Sequence, residues 1–443
     1  MNKKLFAALF VSASLSAMSL DETIQKALLH NNSLKKISLE IEQSKQNRAS
    51  KKAQNFGRID LLANYDHYNN ARTLSPLTPM DIVGSQDGAY KIPTTNDLAT
   101  AGLAYNVVLF NGYAQQNSYK ISDILYKNSI IKSKLGKEEL IYNVRTLYLS
   151  LLSLDEQLQA QQAYTKSQFQ LYKKITAAYK LGSKSKLDTL KAKNSYEASF
   201  ANERTLVANI EILRATLTNI IGGENFSNEE PISIRIDETK VDSLDVENLE
   251  RYKLYALKSD IAKKRVNSAY SSYYPKIDFS SYYGYSMGPN ATTNTSPLTN
   301  KTYINEGDFN NETIWQLGVH LKWNLYDFGA KSSLVEKEKL AYLSSKLEQE
   351  DIKLEIDKNL KIATSKLDLA RAQYNSASSE FELLREISKV EQVKYENNAV
   401  TLTDLLDSRA KAELAYAKMI SSKYEFQKAR FYIDYLLERG EKK

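Results

Sequence analysis

The sequence predicts a mainly helical protein with a small β part, built as two copies of one structural plan. Chain-breaking residues are scarce: the 443 residues include only 15 glycines and seven prolines, and the spans 94–230 and 298–443 contain no proline. A proline inside a helix costs about 3 kcal/mol, so these spans are free to form long helices. Short segments of alternating apolar and polar residues supply the β part, and motifs of the first half return in the second.

The N-terminus has the pattern of a secretory signal peptide. Lys3 and Lys4 precede an apolar stretch over 5–15, and small residues including Ala17 and Ser19 follow it. This pattern predicts export, with cleavage after Ala17 or after Ser19. No later apolar stretch reaches the roughly 18 residues that a membrane-spanning helix needs, so we expect none in the mature protein.

The second half of the chain repeats the first at a nearly constant offset. Leu109-Phe110-Asn111 returns as Leu325-Tyr326-Asp327, and Tyr179 and Asp188 return as Tyr395 and Asp404, each 216 positions later. Each half opens with a helix and continues as a strand, a polar loop holding most of the prolines, and a second strand. A very long helix, a short break and a returning helix follow. Several matches in one order at one spacing predict an internal duplication.

Four segments alternate apolar and polar side chains: the predicted strands 59–68, 100–109, 277–286 and 315–325. A period of two over about ten residues, with aromatic residues near the ends, is typical of transmembrane β-strands. One face of a soluble sandwich sheet alternates in the same way. The strands alone therefore leave both interpretations open.

Two very long helices are predicted over Tyr113–Tyr179 and Ala330–Tyr395. Each is about 100 Å long at a rise of ~1.5 Å per residue. Leucines repeat every three or four residues for part of each helix: Leu147, Leu151, Leu154 and Leu158, then Leu340, Leu343 and Leu347, with Leu354 further on. This spacing predicts the narrow apolar seam of a coiled coil.

Four amphipathic strands are too few to close a membrane barrel, because the smallest such barrels use about eight. Open edges in lipid leave unpaired backbone groups, each at a cost of several kcal/mol. Copies of the chain must then share one barrel. Twelve strands from three chains is the natural count, and sixteen from four also satisfies the argument. The same rotation axis turns the helices into a hollow tube with a polar lining.

With this plan and the Leu-Tyr-Asp-Phe-Gly junction at 325–329, the sequence resembles the TolC-like outer-membrane efflux proteins over essentially all of the mature chain. The resemblance implies a homotrimer with a 12-stranded β-barrel in outer-membrane lipid and a long coiled-coil tunnel in the periplasm. It further implies a passive exit duct of a tripartite efflux or type I secretion system. The tip would dock a periplasmic adaptor protein and an inner-membrane pump. The exported cargo, the type of pump, and efflux versus secretion stay open.

Under this resemblance the chain divides into eight segments. They are the signal peptide (1–19), the first helix of repeat 1 (20–56), its strands and extracellular loop (57–112), its long helix, tip and return helix (113–220), an equatorial segment (221–242), and the corresponding parts of repeat 2 (243–272, 273–328 and 329–439).

The breaks between long and returning helices, 180–187 and 396–402, form the two predicted tips. Gly182 suits the left-handed conformation that ends a helix, and in the second tip Asn397 or Asn398 can adopt it. Ser185 with Asp188 and Thr401 with Asp404 have the spacing of N-cap signals for the returning helices. The resemblance implies that the turns dock the adaptor, through Gly182, Ser183, Asn398 and Ala399.

Asp404 and Asp407 lie three residues apart on one face of the last helix. They match paired aspartates that form the periplasmic constriction of TolC-like proteins, which implies six carboxylates around the axis of a trimer. For Asp404, helix capping is the alternative explanation. Asp407 corresponds to Lys191 in the first repeat, and this break of the repeat favours a functional role.

Tyr179, Tyr395 and Asp188 match family positions that link neighbouring helices and hold the tip closed. Simple packing at a helix end is the alternative for both tyrosines. The position of the family's gate arginine is occupied by Val400. We therefore hypothesise that two lysines of the first tip supply substitute cations for the aspartates, namely Lys184 and Lys186.

Other function classes find little support. The chain has no cysteine and only three scattered histidines, which excludes disulfides and thiolate sites and argues against an imidazole metal centre. We find no Gly-rich phosphate loop and no serine nucleophile elbow, so we predict no catalytic residue and no cofactor. The charge of +7 is spread over the chain, unlike a nucleic-acid footprint. A secreted coiled-coil structural protein is the alternative, but it predicts no alternating strands.

Overall fold

The computed structural model describes residues 18–81, 94–223, 245–289, 293–295, 302–304 and 309–440. Most of the expected signal peptide, residues 1–17, lies outside the described residues. The same holds for residues 224–242 of the expected equatorial segment.

Helices dominate the chain, and the strands fall in two groups between them. In chain order the elements are α1 (Leu20–His30), α2 (Asn32–Ala53), β1 (Arg58–Thr73), β2 (Thr94–Phe110), α3 (Ala114–Lys180), α4 (Lys186–Ile220), α5 (Glu250–Tyr270), β3 (Lys276–Pro289), β4 (Thr293–Thr295), β5 (Thr302–Ile304), β6 (Phe309–Lys322), α6 (Ala330–Glu396) and α7 (Leu402–Leu436). The opening helix of the first repeat is interrupted at Asn31, because its side-chain oxygen accepts the N–H of Ser33 (2.9 Å) and replaces a helical hydrogen bond.

The internal duplication extends to the backbone. The long helices α3 and α6 both have 67 residues, and the returning helices α4 and α7 both have 35. Four pairs of residues with positive φ recur at the offset of 216: Gly112 and Phe328, Tyr113 and Gly329, Gly182 and Asn398, Gly222 and Glu438. Such conformations are uncommon outside glycine. Their recurrence shows that the two halves turn in the same way at the same places.

The chain divides into two compact units, the first formed by 1–41, 129–256 and 348–443. Its core joins α1, α3, α4 and α7, with Tyr148, Leu151, Leu217 and Ile420 fully buried. Leu147, Leu154 and Leu158 pack against this cluster, so the apolar seam predicted on α3 is confirmed. Burial of aliphatic side chains stabilises the fold by roughly 1.5–3 kcal/mol each.

The apolar seam predicted on α6 behaves differently. Leu340, Leu343, Leu347 and Leu354 are each 58–67% exposed within the single chain. The leucine spacing is correct for a coiled coil, but no described helix of the same chain covers this stripe. Within the described part of the chain, the stripe therefore has no packing partner.

The second unit, formed by 42–128 and 257–347, contains the sheet. Its four long strands are antiparallel in the order β1-β2-β3-β6, so β1 and β6 are edges. The four predicted strands are confirmed, but β6 ends at Lys322, three residues early. The chain leaves the sheet there and turns into α6 through Phe328 and Gly329, which both have positive φ. The short pair β4 and β5 was not predicted.

Candidate functional site

The sheet has one apolar and one polar face. Register places Leu61, Leu103, Tyr283 and Trp315 in one row across the four strands. All four side chains are exposed, as are other apolar residues of the same face: Ile59, Tyr65, Leu109, Tyr285, Leu317, Val319 and Leu321. An exposed apolar face this extended marks contact with another protein or with lipid.

The opposite face is polar and charged. Near the ends where the strands meet the helices it carries Arg58, Lys276 and Lys322, with Arg58 paired to Asp60 and Lys276 to Asp278, each at 3.0 Å. These residues alternate along the strands with those of the apolar face. The sheet is therefore amphipathic in the manner of a membrane barrel, apolar outside and polar inside.

The first tip is a Schellman turn at the end of α3. Gly182 has φ +78°, and its N–H donates to the carbonyl of Tyr179 at 2.9 Å. The N–H of Ser183 donates to the carbonyl of Ala178, also at 2.9 Å. This pair of bonds satisfies carbonyls that the helix end leaves without a partner. Gly182 and Ser183 are exposed at the turn.

The second tip repeats this geometry with a different residue. Asn398 has φ +57°, and its N–H donates to the carbonyl of Tyr395 at 3.0 Å. The N–H of Ala399 donates to the carbonyl of Lys394 at 2.8 Å. Asparagine tolerates the left-handed conformation better than most residues, so the turn forms without glycine. Asn398 and Ala399 are exposed.

Each returning helix begins with a capping box. Ser185 Oγ accepts the N–H of Asp188 at 3.0 Å, and Asp188 Oδ2 accepts the N–H of Ser185 at 3.2 Å. Thr401 and Asp404 form the same reciprocal pair, at 3.3 and 3.0 Å. Hydrogen bonds from the hydroxyl and the N–H of Thr401 lower the pKa of Asp404 below the usual range of an aspartate. Asp404 is thus both a helix cap and a carboxylate held ionised.

Asp407 has no role in the cap. It is exposed, and its carboxylate pairs with Lys411 one turn later at 2.7 Å. Asp404 lies in the first turn of α7 and Asp407 in the second. A spacing of three residues places both side chains on the same side of the helix. The structure therefore places two exposed carboxylates on consecutive turns beside the second tip.

Direct contacts join the two tips. The Lys184 ammonium lies 4.8 Å from the centre of the Tyr395 ring, and Lys191 Nζ donates to Thr403 Oγ1 at 3.0 Å. Beneath them lies a small apolar cluster of α3, α4 and α7: Leu171, Ile175, Ala192, Leu402 and Leu405. The two hairpin ends are therefore packed together in one protomer.

The remaining predicted tip residues lie apart from these contacts. Tyr179 is 43% exposed, unlike its repeat partner Tyr395, which packs against the apolar cluster. Lys186 is exposed at the start of α4. Its role as a substitute cation stays a prediction.

Two ionisable side chains are partly buried one turn apart on α7, further from the tip. Arg409 donates to Ser167 and Gln392, and burial lowers its pKa. Burial raises the pKa of Glu413. A buried charge is costly unless it is well paired, and burial therefore shifts the pKa of each of these groups toward its neutral form. Neither periodicity nor a motif in the sequence pointed to Arg409 and Glu413.

Among the described residues, no group of histidine and carboxylate side chains is arranged to hold a metal ion. None of the described helices combines the length and apolarity needed to cross a bilayer.

A family model described as outer membrane efflux protein matches residues 23–223 and 255–437. The chain belongs to the outer membrane efflux protein family. A comparison with curated proteins gives no significant match. The TolC-like fold expected from the sequence is confirmed by this match and by solved structures of the same kind.

Three of these structures are outer-membrane channels or outer-membrane proteins of bacteria. The Campylobacter jejuni CmeC outer membrane channel is 15% identical with a TM-score of 0.78, over 99% of this chain and 93% of that one. The outer membrane protein VceC of Vibrio cholerae is 14% identical with a TM-score of 0.72, over 95% of both chains. The open-state Neisseria gonorrhoeae MtrE outer membrane channel is 14% identical with a TM-score of 0.72, over 95% of this chain and 89% of that one.

Membership of the outer membrane efflux protein family fixes the general function. The protein is an outer-membrane exit duct, a passive conduit with a helical periplasmic extension, and not an enzyme. The secreted structural protein is not favoured. Channels of this family are trimeric and work with adaptor and pump partners.

Proposed function

We propose that three copies of this chain form one outer-membrane duct, that a carboxylate constriction at its periplasmic tip controls passage, and that the tip docks an adaptor and an inner-membrane pump. The observation that carries the trimer is the open four-stranded sheet with an exposed apolar face and two edge strands. Lipid does not tolerate open edges, so the edge β1 of one copy pairs with β6 of the next.

The exposed leucine stripe of α6 supports the same arrangement. Its residues have coiled-coil spacing, no described helix of the same copy covers them, and a neighbouring copy would supply a helix of the right chemistry. Burying one such leucine stabilises the assembly by roughly 1.5–3 kcal/mol. Unheated gel electrophoresis of the detergent-purified protein is expected to give a band of trimer mass that collapses to the monomer on boiling. A monomer band without heating would contradict the shared barrel.

The constriction rests on Asp404 and Asp407. Both are exposed in the protomer, and the hydrogen bonds from Thr401 keep Asp404 ionised to lower pH. Three copies bring six carboxylates to two adjacent levels of the axis, those of Asp407 each beside Lys411, and we expect the unpaired Asp404 ring above all to attract cations and repel anions. The test is the reversal potential of single channels in a salt gradient, where Asp404→Asn and Asp407→Asn should each reduce cation selectivity.

The internal repeat offers a matched control. Asp188 caps α4 as Asp404 caps α7, so Asp188→Asn removes the same charge from the same kind of cap in the other tip. The proposal expects its selectivity to stay near that of the unmodified channel. An equal loss of selectivity in Asp188→Asn would show that general charge or cap loss, rather than a constriction at Asp404 and Asp407, sets the selectivity.

The adaptor contacts are assigned to the exposed turns Gly182-Ser183 and Asn398-Ala399. Exposed leucines flank the first turn, with Leu181 84% exposed, and large apolar side chains in such positions favour docking of another protein. Replacing Ser183 and Ala399 by bulky charged residues should abolish co-purification of the adaptor without changing the trimer band. Loss of the trimer, or unchanged adaptor binding, would contradict this assignment.

A further inference from the structure

Met18 is part of the folded core. It is 6% exposed and belongs to the apolar cluster that joins α1 to α3, α4 and α7. Its carbonyl accepts a hydrogen bond from the hydroxyl of the fully buried Tyr148 at 3.2 Å. The residue therefore contributes both an apolar side chain and an acceptor to the interior.

Ser19 begins the first helix. Its Oγ accepts the N–H of Glu22 at 3.3 Å, and its own N–H donates to Glu22 Oε2 at 2.9 Å, which completes a capping box. Its carbonyl accepts both the N–H and the hydroxyl of the fully buried Thr23. The first turn of α1 therefore depends on Ser19.

The two cleavage positions that the sequence pattern admits have different consequences for this structure. Cleavage after Ser19 removes Met18 from the core and Ser19 from the cap. It also leaves the new ammonium on Leu20, the first helical residue, at the positive end of the helix dipole. Cleavage after Ala17 keeps every one of these contacts and puts the ammonium two residues before the helix.

We propose that the leader is removed at the Ala17–Met18 peptide bond. The reaction is hydrolysis by a signal peptidase: the amide C–N bond breaks, water supplies the hydroxyl of the Ala17 carboxyl group, and the Met18 nitrogen gains a proton. Ala17 is the small residue directly before this cut, with Leu15 two positions earlier; the cut after Ser19 would have Ser19 and Ala17 in these positions, so the folded contacts, and not the motif, separate the two cuts. Because Met18 is buried in the folded protein, cleavage precedes the packing of α1.

The test is intact mass and N-terminal sequencing of the full chain, expressed with its leader and purified from outer membranes. The expected N-terminus is Met-Ser-Leu-Asp. A chain that starts at Leu20, at any other residue, or with an uncleaved leader would overturn the proposal.

A second measurement tests the structural reason. A chain lacking Met18 and Ser19, with Leu20 directly after Ala17, should lose its helical circular dichroism at a lower temperature than the unmodified protein. Ser19→Thr keeps a capping hydroxyl and should match the unmodified protein, whereas Ser19→Ala should lower the midpoint. If the deletion is not recovered from membranes, the comparison of Ser19→Ala with Ser19→Thr decides. Equal midpoints for these two variants, or an unchanged midpoint in the deletion, would overturn the argument.

Discussion

Lys184→Gln is expected to make the periplasmic tip open more often. The substitution removes the ammonium that lies over the Tyr395 ring and so releases one of the contacts that join the two hairpin ends. The second contact, from Lys191 to Thr403, and the apolar cluster beneath remain. The tip should therefore loosen without unfolding.

The size of the effect follows from the geometry. A cation over an aromatic ring at a partly exposed site contributes about 0.5–1 kcal/mol. In the proposed trimer three such contacts break when the tip opens, for a total of about 1.5–3 kcal/mol. At ~1.4 kcal/mol per factor of ten, the ratio of open to closed channels should rise roughly 10- to 150-fold.

Single-channel recording in planar bilayers measures this ratio, and the chain supplies three controls. Lys186→Gln removes the same charge from an exposed lysine for which the described tips provide no aromatic partner, so it should leave the ratio nearly unchanged. Lys184→Arg keeps a cation over the ring and should also be near normal. Tyr395→Phe keeps the ring and should also leave the ratio near normal, because the buried Tyr395 hydroxyl has no hydrogen-bond partner in the structure. The reasoning fails if Lys186→Gln opens the channel as much as Lys184→Gln does.

Three further outcomes are expected. Gly102→Ala would place its methyl group 2.6 Å from the Tyr282 hydroxyl and 2.7 Å from the Gly284 Cα, so overpacking of about 1–3 kcal/mol should lower the temperature at which the trimer band dissociates. The chain has no cysteine, so a single introduced cysteine can be labelled alone. Lys322→Cys, on the polar face of the sheet, should react with a water-soluble thiol reagent, whereas Leu321→Cys, on the apolar face, should be protected by lipid. Equal reactivity of the two cysteines would contradict the assignment of the two faces. Glu413→Gln should raise the thermal midpoint at neutral pH. Burial raises the pKa of the Glu413 carboxyl in the folded state, so the unmodified protein loses stability as pH rises through that pKa. Below about pH 4.3 the carboxyl is protonated in both the folded and the unfolded state, and the two proteins should have the same midpoint.

The parts of the structure that depend on local chemistry could be predicted from the sequence. Proline-free spans became helices of the expected length, and the turns at Gly182 and Asn398 took the left-handed conformation that their residues permit. The capping boxes at Ser185 and Thr401 follow from a hydroxyl three residues before a carboxylate. In each case the bonds that decide the conformation lie within a few residues.

Contacts between elements could not be predicted in this way. Lys184 stood out as a cation, but its placement over Tyr395 depends on how two hairpins pack, and Lys191 was noted only as the repeat partner of Asp407. The leucine spacing of α3 and α6 is similar, yet one seam is buried in the protomer and the other is exposed. Spacing identifies an apolar stripe, but the partner that covers it depends on tertiary and quaternary structure.

The two tips have the same backbone turns and opposite charge, and we expect this difference to take the place of the family's gate arginine. Residues 180–191 carry four lysines and one aspartate, whereas 396–407 carry Glu396, Asp404 and Asp407 and no basic residue. The matching turns and caps leave side-chain charge as the main distinction between the tips. In the proposed trimer each acidic tip would lie between basic ones, and we expect Lys184 and Lys191, which contact the second hairpin, to carry this attraction. We expect these two contacts, from Lys184 to Tyr395 and from Lys191 to Thr403, to compensate for the cation that is missing at Val400.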